Sequence, residues 1–105
     1  MAIQTAQIGN TPGPVYISVN QTAITLMSIC NYSIATRTVS IHIVSQADVS
    51  PADSNIFIKD VEIVPGDTFI IYQGGEKIIL EDGDHISMTA DGSNALTAIT
   101  SYMEV

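Results

Sequence analysis

A single cysteine, Cys30, is all that the sequence offers for sulfur chemistry, so no intrachain disulfide can form and the fold does not rest on cross-links. Placed inside an apolar run, Cys30 reads as a small core residue rather than a nucleophile. Basic residues are nearly absent: Arg37, Lys59 and Lys77 stand apart from one another against 11 acids, for a formal net charge of -8. Nucleic acid is not expected as a partner, because phosphate backbones are held by clustered Lys and Arg, and an anionic membrane surface is disfavoured on the same ground. One cysteine and two distant histidines, His42 and His85, make no zinc ligand pattern. Tryptophan is missing, which leaves Tyr16, Tyr32, Tyr72 and Tyr102 as the candidates for an aromatic carbohydrate platform, each of which also fits a core-rim position with a wet hydroxyl. No apolar run approaches the roughly 20 residues of a membrane helix, and Met1 to Thr5 lacks a basic n-region, so neither a span nor a signal peptide is expected.

What remains is rich in one kind of side chain. Isoleucine occurs 17 times, valine 8 and threonine 10, against 3 leucines. Branching at Cβ restricts χ1 and crowds a helix but packs well on a pleated surface, so the composition favours strands. A chain of 105 residues with 46% apolar side chains is long and hydrophobic enough for one core and one domain.

Turn signals cut the chain into short segments. Gly9-Asn10-Thr11-Pro12-Gly13-Pro14 excludes helix and central strand, and residues 1–14 are read as an extended arm. Val15, Ile17 and Val19 then alternate with Tyr16 and Ser18. Residues 22–30 are apolar on both faces, as in a strand buried on both sides. Val39, Ile41 and Ile43 alternate with Thr38, Ser40 and His42 in the clearest period-two pattern of the chain, with one face core and the other wet or an interface. Ser45 to Asn55 is the longest loop. Ile56 and Ile58 shift phase against Val61 and Ile63 across Lys59-Asp60, which predicts a bulge. Pro65-Gly66-Asp67 fits a type II turn, and Asp82-Gly83 a hairpin turn. Further strands are expected at Phe69 to Tyr72, Lys77 to Leu80, His85 to Ala90 and Ala95 to Val105, with a break at Gly74-Gly75. Eight or nine short strands with breaks every 8 to 12 residues predict an all-β, antiparallel β-sandwich of jelly-roll type.

Chemistry is hard to find in this pattern. No Gly-x-Ser-x-Gly elbow occurs and His42 sits on the polar face of a regular strand, so no catalytic residue, cofactor or small-molecule substrate is assigned. Glu81-Asp82-Gly83-Asp84 clusters carboxylates round a glycine, making Asp82 and Asp84 a weak calcium candidate against the alternative of a plain turn. Charge is unevenly distributed: residues 1–47 carry only Arg37, whereas all 11 acids fall from Asp48 onward, so the halves stand near +1 and −9. A neutral stretch rich in hydroxyls and amides suits a subunit contact, since interface cores are depleted in charge. It equally suits strands at the centre of a sheet. The interface candidates are Tyr16, Thr22, Thr25, Thr38, Ser40 and His42.

Three later stretches carry a more specific likeness. Val64-Pro65-Gly66-Asp67-Thr68-Phe69-Ile70-Ile71, then Glu76-Lys77-Ile78-Ile79-Leu80-Glu81-Asp82-Gly83-Asp84-His85-Ile86, then Ser101-Tyr102-Met103-Glu104-Val105, preceded by Leu26-Met27-Ser28-Ile29-Cys30-Asn31, resemble in order and spacing a group of small bacteriophage virion structural proteins. The likeness runs from about Thr22 to the end and leaves Gly9 through Pro14 outside it. It implies a non-enzymatic particle component: a head decoration or cement protein, or a subunit of the neck, tail or fibres. The implied partners are further copies of the chain and other virion proteins, and the implied location is the virion, assembled in the host cytoplasm. A fibre-tip module for a host glycan or receptor is the alternative.

Overall fold

In a computed structural model of the chain, residues 2–48, 50–71 and 78–105 are described. Tyr72 and Lys77, the end residues of two expected strands, and the break at Gly74-Gly75 lie outside the described residues. Nine strands follow one another: β1 (Ala2–Ile8), β2 (Gly13–Ile17), β3 (Thr22–Asn31), β4 (Arg37–Val44), β5 (Ile56–Ile63), β6 (Thr68–Ile71), β7 (Ile78–Leu80), β8 (His85–Ala90) and β9 (Leu96–Glu104). They form two antiparallel sheets, β1-β9-β3-β6 with β7 also on β3, and β2-β8-β4-β5. Taking β6 and β7 as two pieces of one edge position, the chain crosses between the sheets at nearly every connection, which is the jelly-roll order. The expected all-β sandwich is the observed fold.

The sheets face each other across one core. Ile29, Ile41, Ile86 and Leu96 are fully buried, with Ile8, Met27, Val39, Leu80 and Met88 nearly so, and these come from both sheets. β-Branched side chains stand off the pleat in few rotamers, so they interdigitate between layers at little conformational cost. The ten-residue β3 is the long axis of its sheet: β9 pairs along one side, and β6 and β7 share the other. Its inward residues Ile24, Met27 and Ile29 are buried, but outward Leu26, Ser28 and Cys30 are only half-buried. The strand is thus apolar on two faces and covered by the rest of the chain on one.

Several local expectations change. Residues 1–14 are not a free arm: β1 pairs with β9 along its whole length, and Gly13-Pro14 already opens β2 on β8. Glutamine and threonine on the solvent side of an edge strand had masked its period. In β2 the alternation is inverted, with Tyr16 and Ser18 buried and Ile17 and Val19 exposed, because a bulge between Pro14 and Tyr16 turns two consecutive side chains inward. The bulge at Lys59-Asp60 is present, with Asp60 at φ 51° and a register shift against β4. Gly66 adopts φ 80° in a turn closed by Asp67 N–H on the Val64 carbonyl, the type II geometry. Asp82-Gly83 is not a hairpin: only Gly83 has positive φ, and the turn carries the chain from β7 in one sheet to β8 in the other. Within the Ser45 to Asn55 loop, Asp53–Asn55 forms a 3₁₀ turn tied by the Asn55 side chain to Ser50 and Ala52.

One polar residue organises an end of the sandwich. Asn31, fully buried at the end of β3, donates its amide to the Ala35 and Ile63 carbonyls and accepts at Oδ1 from the backbone N–H and hydroxyl of Ser33. Its own backbone bonds to Gly66 and Asp67. Four side-chain bonds thus fasten the β3–β4 loop and the last residue of β5 to a central strand. Asn31→Ala takes its partner from the Ile63 carbonyl and the Ser33 N–H, while the Ala35 carbonyl keeps the Ser33 hydroxyl, and an expected loss of about 2–4 kcal/mol is checked by urea unfolding. Gly66→Ala, forced into left-handed backbone, is expected to lose about 1 kcal/mol or more in the same assay.

Candidate assembly surface

Two of the six interface candidates lie inside the protein. Tyr16 and Thr22 are buried at 5% and 2% exposure, which corrects their placement on a contact face. Tyr16 is turned inward by the β2 bulge and its ring stands 4.6 Å from that of Tyr102. Its hydroxyl donates to Thr22 Oγ1 at 3.1 Å, and the Thr22 and Ser18 hydroxyls share a bond of 2.8 Å. A buried hydroxyl costs free energy unless paired, and this cluster satisfies itself. With Tyr16 and Tyr102 stacked against each other, Tyr32 is the exposed tyrosine among the described residues, and no aromatic platform forms there.

The carboxylates of the Glu81–Asp84 turn act as staples. Asp82 Oδ1 accepts from the Asn20 N–H at 2.8 Å, while Asp84 accepts from Gln46 N–H through Oδ1 and from Glu81 N–H through Oδ2, both at 2.9 Å. Gln21 Nε2 adds a bond to Glu81 Oε1. These bonds hold the β2–β3, β4–β5 and β7–β8 connections together. Asp82 Oδ1 and both Asp84 oxygens are engaged with backbone donors, and among the described residues no group of three or more His, Cys, Asp or Glu side chains is placed to hold a metal ion.

Thr38, Ser40 and His42 do share one surface, the outer face of the β2-β8-β4-β5 sheet, where they meet Thr89, Ser87 and the acids of β5. Thr38 stands opposite Glu62, and the Ser40 hydroxyl donates to Asp60 Oδ1 and accepts from the Asp60 backbone N–H. Ser87 faces His42 across the strands, but its hydroxyl donates to the Gly13 carbonyl and His42 Nδ1 has no partner. The hydrogen bond that couples a nucleophile to its base is absent from this pair.

Thr25 points the other way. On the outer face of the β1-β9-β3-β6 sheet, strand register brings together Ile3, Thr5 and Gln7 of β1, Thr97, Ile99, Ser101 and Met103 of β9, and Leu26, Ser28 and Cys30 of β3. Thr68 and Ile70 of β6 and Ile79 of β7 continue the same face. Among the described residues it holds no charged side chain. Thr25 sits at a β3 bulge and donates to Ser101 Oγ at 2.9 Å, so polar atoms of the face are already paired with one another. Described charges lie instead in turns, at the start of β4, along β5 and at the last residue of β9. The neutrality seen in residues 1–47 therefore does not map onto one face or onto sheet centres: first-half β1 and β2 are edges, whereas second-half β8 and β9 are central. Both halves build the charge-free face.

A groove of about 230 Å³ opens at the β1/β2 edge between Gln4, Ala6, Pro14, Val15, Tyr16 and Ile17. Among the described residues that line it, the polar side chains are the Gln4 amide and the Tyr16 hydroxyl, and the latter donates to Thr22. No protein-family model matches the chain, and no curated protein does.

If the Asp84 carboxylate is a staple, EDTA leaves the melting temperature unchanged, while Asp84→Ala frees two backbone donors and lowers stability by about 1–3 kcal/mol. Thermal melts with and without chelator check both outcomes.

Proposed function

We propose that this chain is a non-enzymatic structural protein of a bacteriophage virion, self-associating and docking on the capsid or the head-tail junction in the manner of decoration or cement proteins. The observation that carries the assembly reading is the broad charge-free outer face of the β1-β9-β3-β6 sheet on a chain of formal net charge -8. Surfaces exposed to solvent throughout a protein's life carry mixed charge, whereas contact cores exclude it. The particle context is supported by the sequence likeness to small virion proteins. Jelly rolls serve in viral capsids but also in lectins and cupins, so the topology is compatible with that role without selecting it.

The acids fit the second half of the task. Asp48, Asp53, Asp67, Glu81, Asp82 and Asp91 are exposed in connections, where they meet basic patches of a partner with little desolvation. Docking of this kind weakens with salt. Labelled protein is expected to band with purified particles at low ionic strength, to be located on them by electron microscopy, and to wash off in high salt. Recovery solely in the soluble fraction at every salt concentration overturns the particle reading.

A further inference from the structure

We infer that the charge-free sheet face is covered by the same face of a second copy, forming a two-fold symmetric dimer. The inference rests on the assembly reading above and names the occupant of that surface.

The first argument is the double-sided strand. β3 has the composition of a strand buried on both faces, yet outward Leu26, Ser28 and Cys30 are covered only in part. Ile3, Ile70, Ile79, Ile99 and Met103 around them are exposed, Ile3 at 64% and Ile70 at 57%. Large apolar side chains exposed together on an uncharged face, interleaved with Thr5, Ser28 and Ser101, mark a contact. A two-sided apolar strand requires a second layer, and the described residues supply one layer only.

The second argument concerns the kind of surface that fits. Four strand positions about 4.8 Å apart and seven to ten residues long at about 3.4 Å each give a face of roughly 450–650 Å² in projection. Pleating and side-chain relief raise its accessible area, so coverage of nearly the whole face reaches the roughly 600–1,000 Å² per partner of a specific interface. The occupant must therefore be flat, about as wide, and free of charge. A basic partner gains nothing here, since there is no carboxylate to meet and its own charges would be desolvated. The same face of another copy meets every condition, and identical patches close on each other about a two-fold axis. The Thr25–Ser101 bond lets polar atoms enter that contact already paired.

The third argument is the sign of the long-range force. Two chains of -8 repel each other, so pairing through an apolar face strengthens as salt screens that repulsion. Docking of acidic turns on a basic particle responds in the opposite sense.

Sedimentation velocity on the purified chain tests this. The expected mass is twice the 11.2 kDa of one chain. Raising salt from about 0.05 M to about 0.5 M is expected to lower the dimer Kd about threefold or more. Ile99→Asp puts a carboxylate into the middle of the contact and is expected to give monomers, whereas Ile34→Asp, at a loop tip 98% exposed, leaves the dimer intact. Should Ile99→Asp disturb folding by circular dichroism, Ile70→Asp on the edge strand β6 is the substitute. A native chain that stays monomeric up to about 100 µM, a folded face variant that still dimerises, or a dimer that loosens with salt overturns the inference. A dimer that never reaches particles removes the virion reading and leaves the face pairing standing.

Discussion

Strand β3 is the constraint on which the rest of the structure depends. Its ten residues exceed any neighbour, and the β1-β9-β3-β6 sheet is assembled by pairing β9 along one flank and two short strands end to end along the other. Backbone groups of a central strand have no water to fall back on, so each must find a partner, and β3 finds three. At its end Asn31 extends this rule from backbone to side chain. The amide binds the adjoining loop and β5, a strand of the opposite sheet, so the spacing of the two layers is held by polar bonds at the rim as well as by aliphatic packing between them.

How much of this the sequence revealed depended on whether the period was local. In β4, Val39 and Ile41 against Thr38, Ser40 and His42 could be read directly, because the alternation there is local, although it ends at half-buried Ile43 and fully buried Val44. Gly66 and Asp60 were legible for a related reason: proline before glycine, and a break in phase, are local signals of positive φ. β2 was read on the wrong face because one inserted residue reverses everything after it. Asn31 stands just after the apolar run 22–30 and carries no local sign of burial. Its burial arises from Ile63, 32 positions away, and no local pattern reports that.

The charge-free face was harder still. Charge along the sequence pointed to residues 1–47, and the candidates chosen there scattered: Tyr16 and Thr22 into the core, Thr38, Ser40 and His42 onto one outer face, Thr25 onto the other. A surface built from alternate residues of five strands is invisible in a linear charge profile, since each neutral position is followed by one that faces the core. What the profile did contain was the scarcity of charge inside strands, which pleating and strand order convert into a neutral plane.

The pairing of β1 with β9 also sets a timetable. Residues 2–8 are synthesised well before their hydrogen-bonding partners, residues 96–102, and β9 separates β1 from β3 in the finished sheet. Until β9 is released, the first strand has no edge to join and β3 lacks one flank, so closure is a late, long-range event of the kind that folds slowly. A nascent chain shorter than this cannot display the neutral plane, because its middle row, including Ile99, has not yet been made. The pairing proposed for this face is thereby confined to chains that have finished folding.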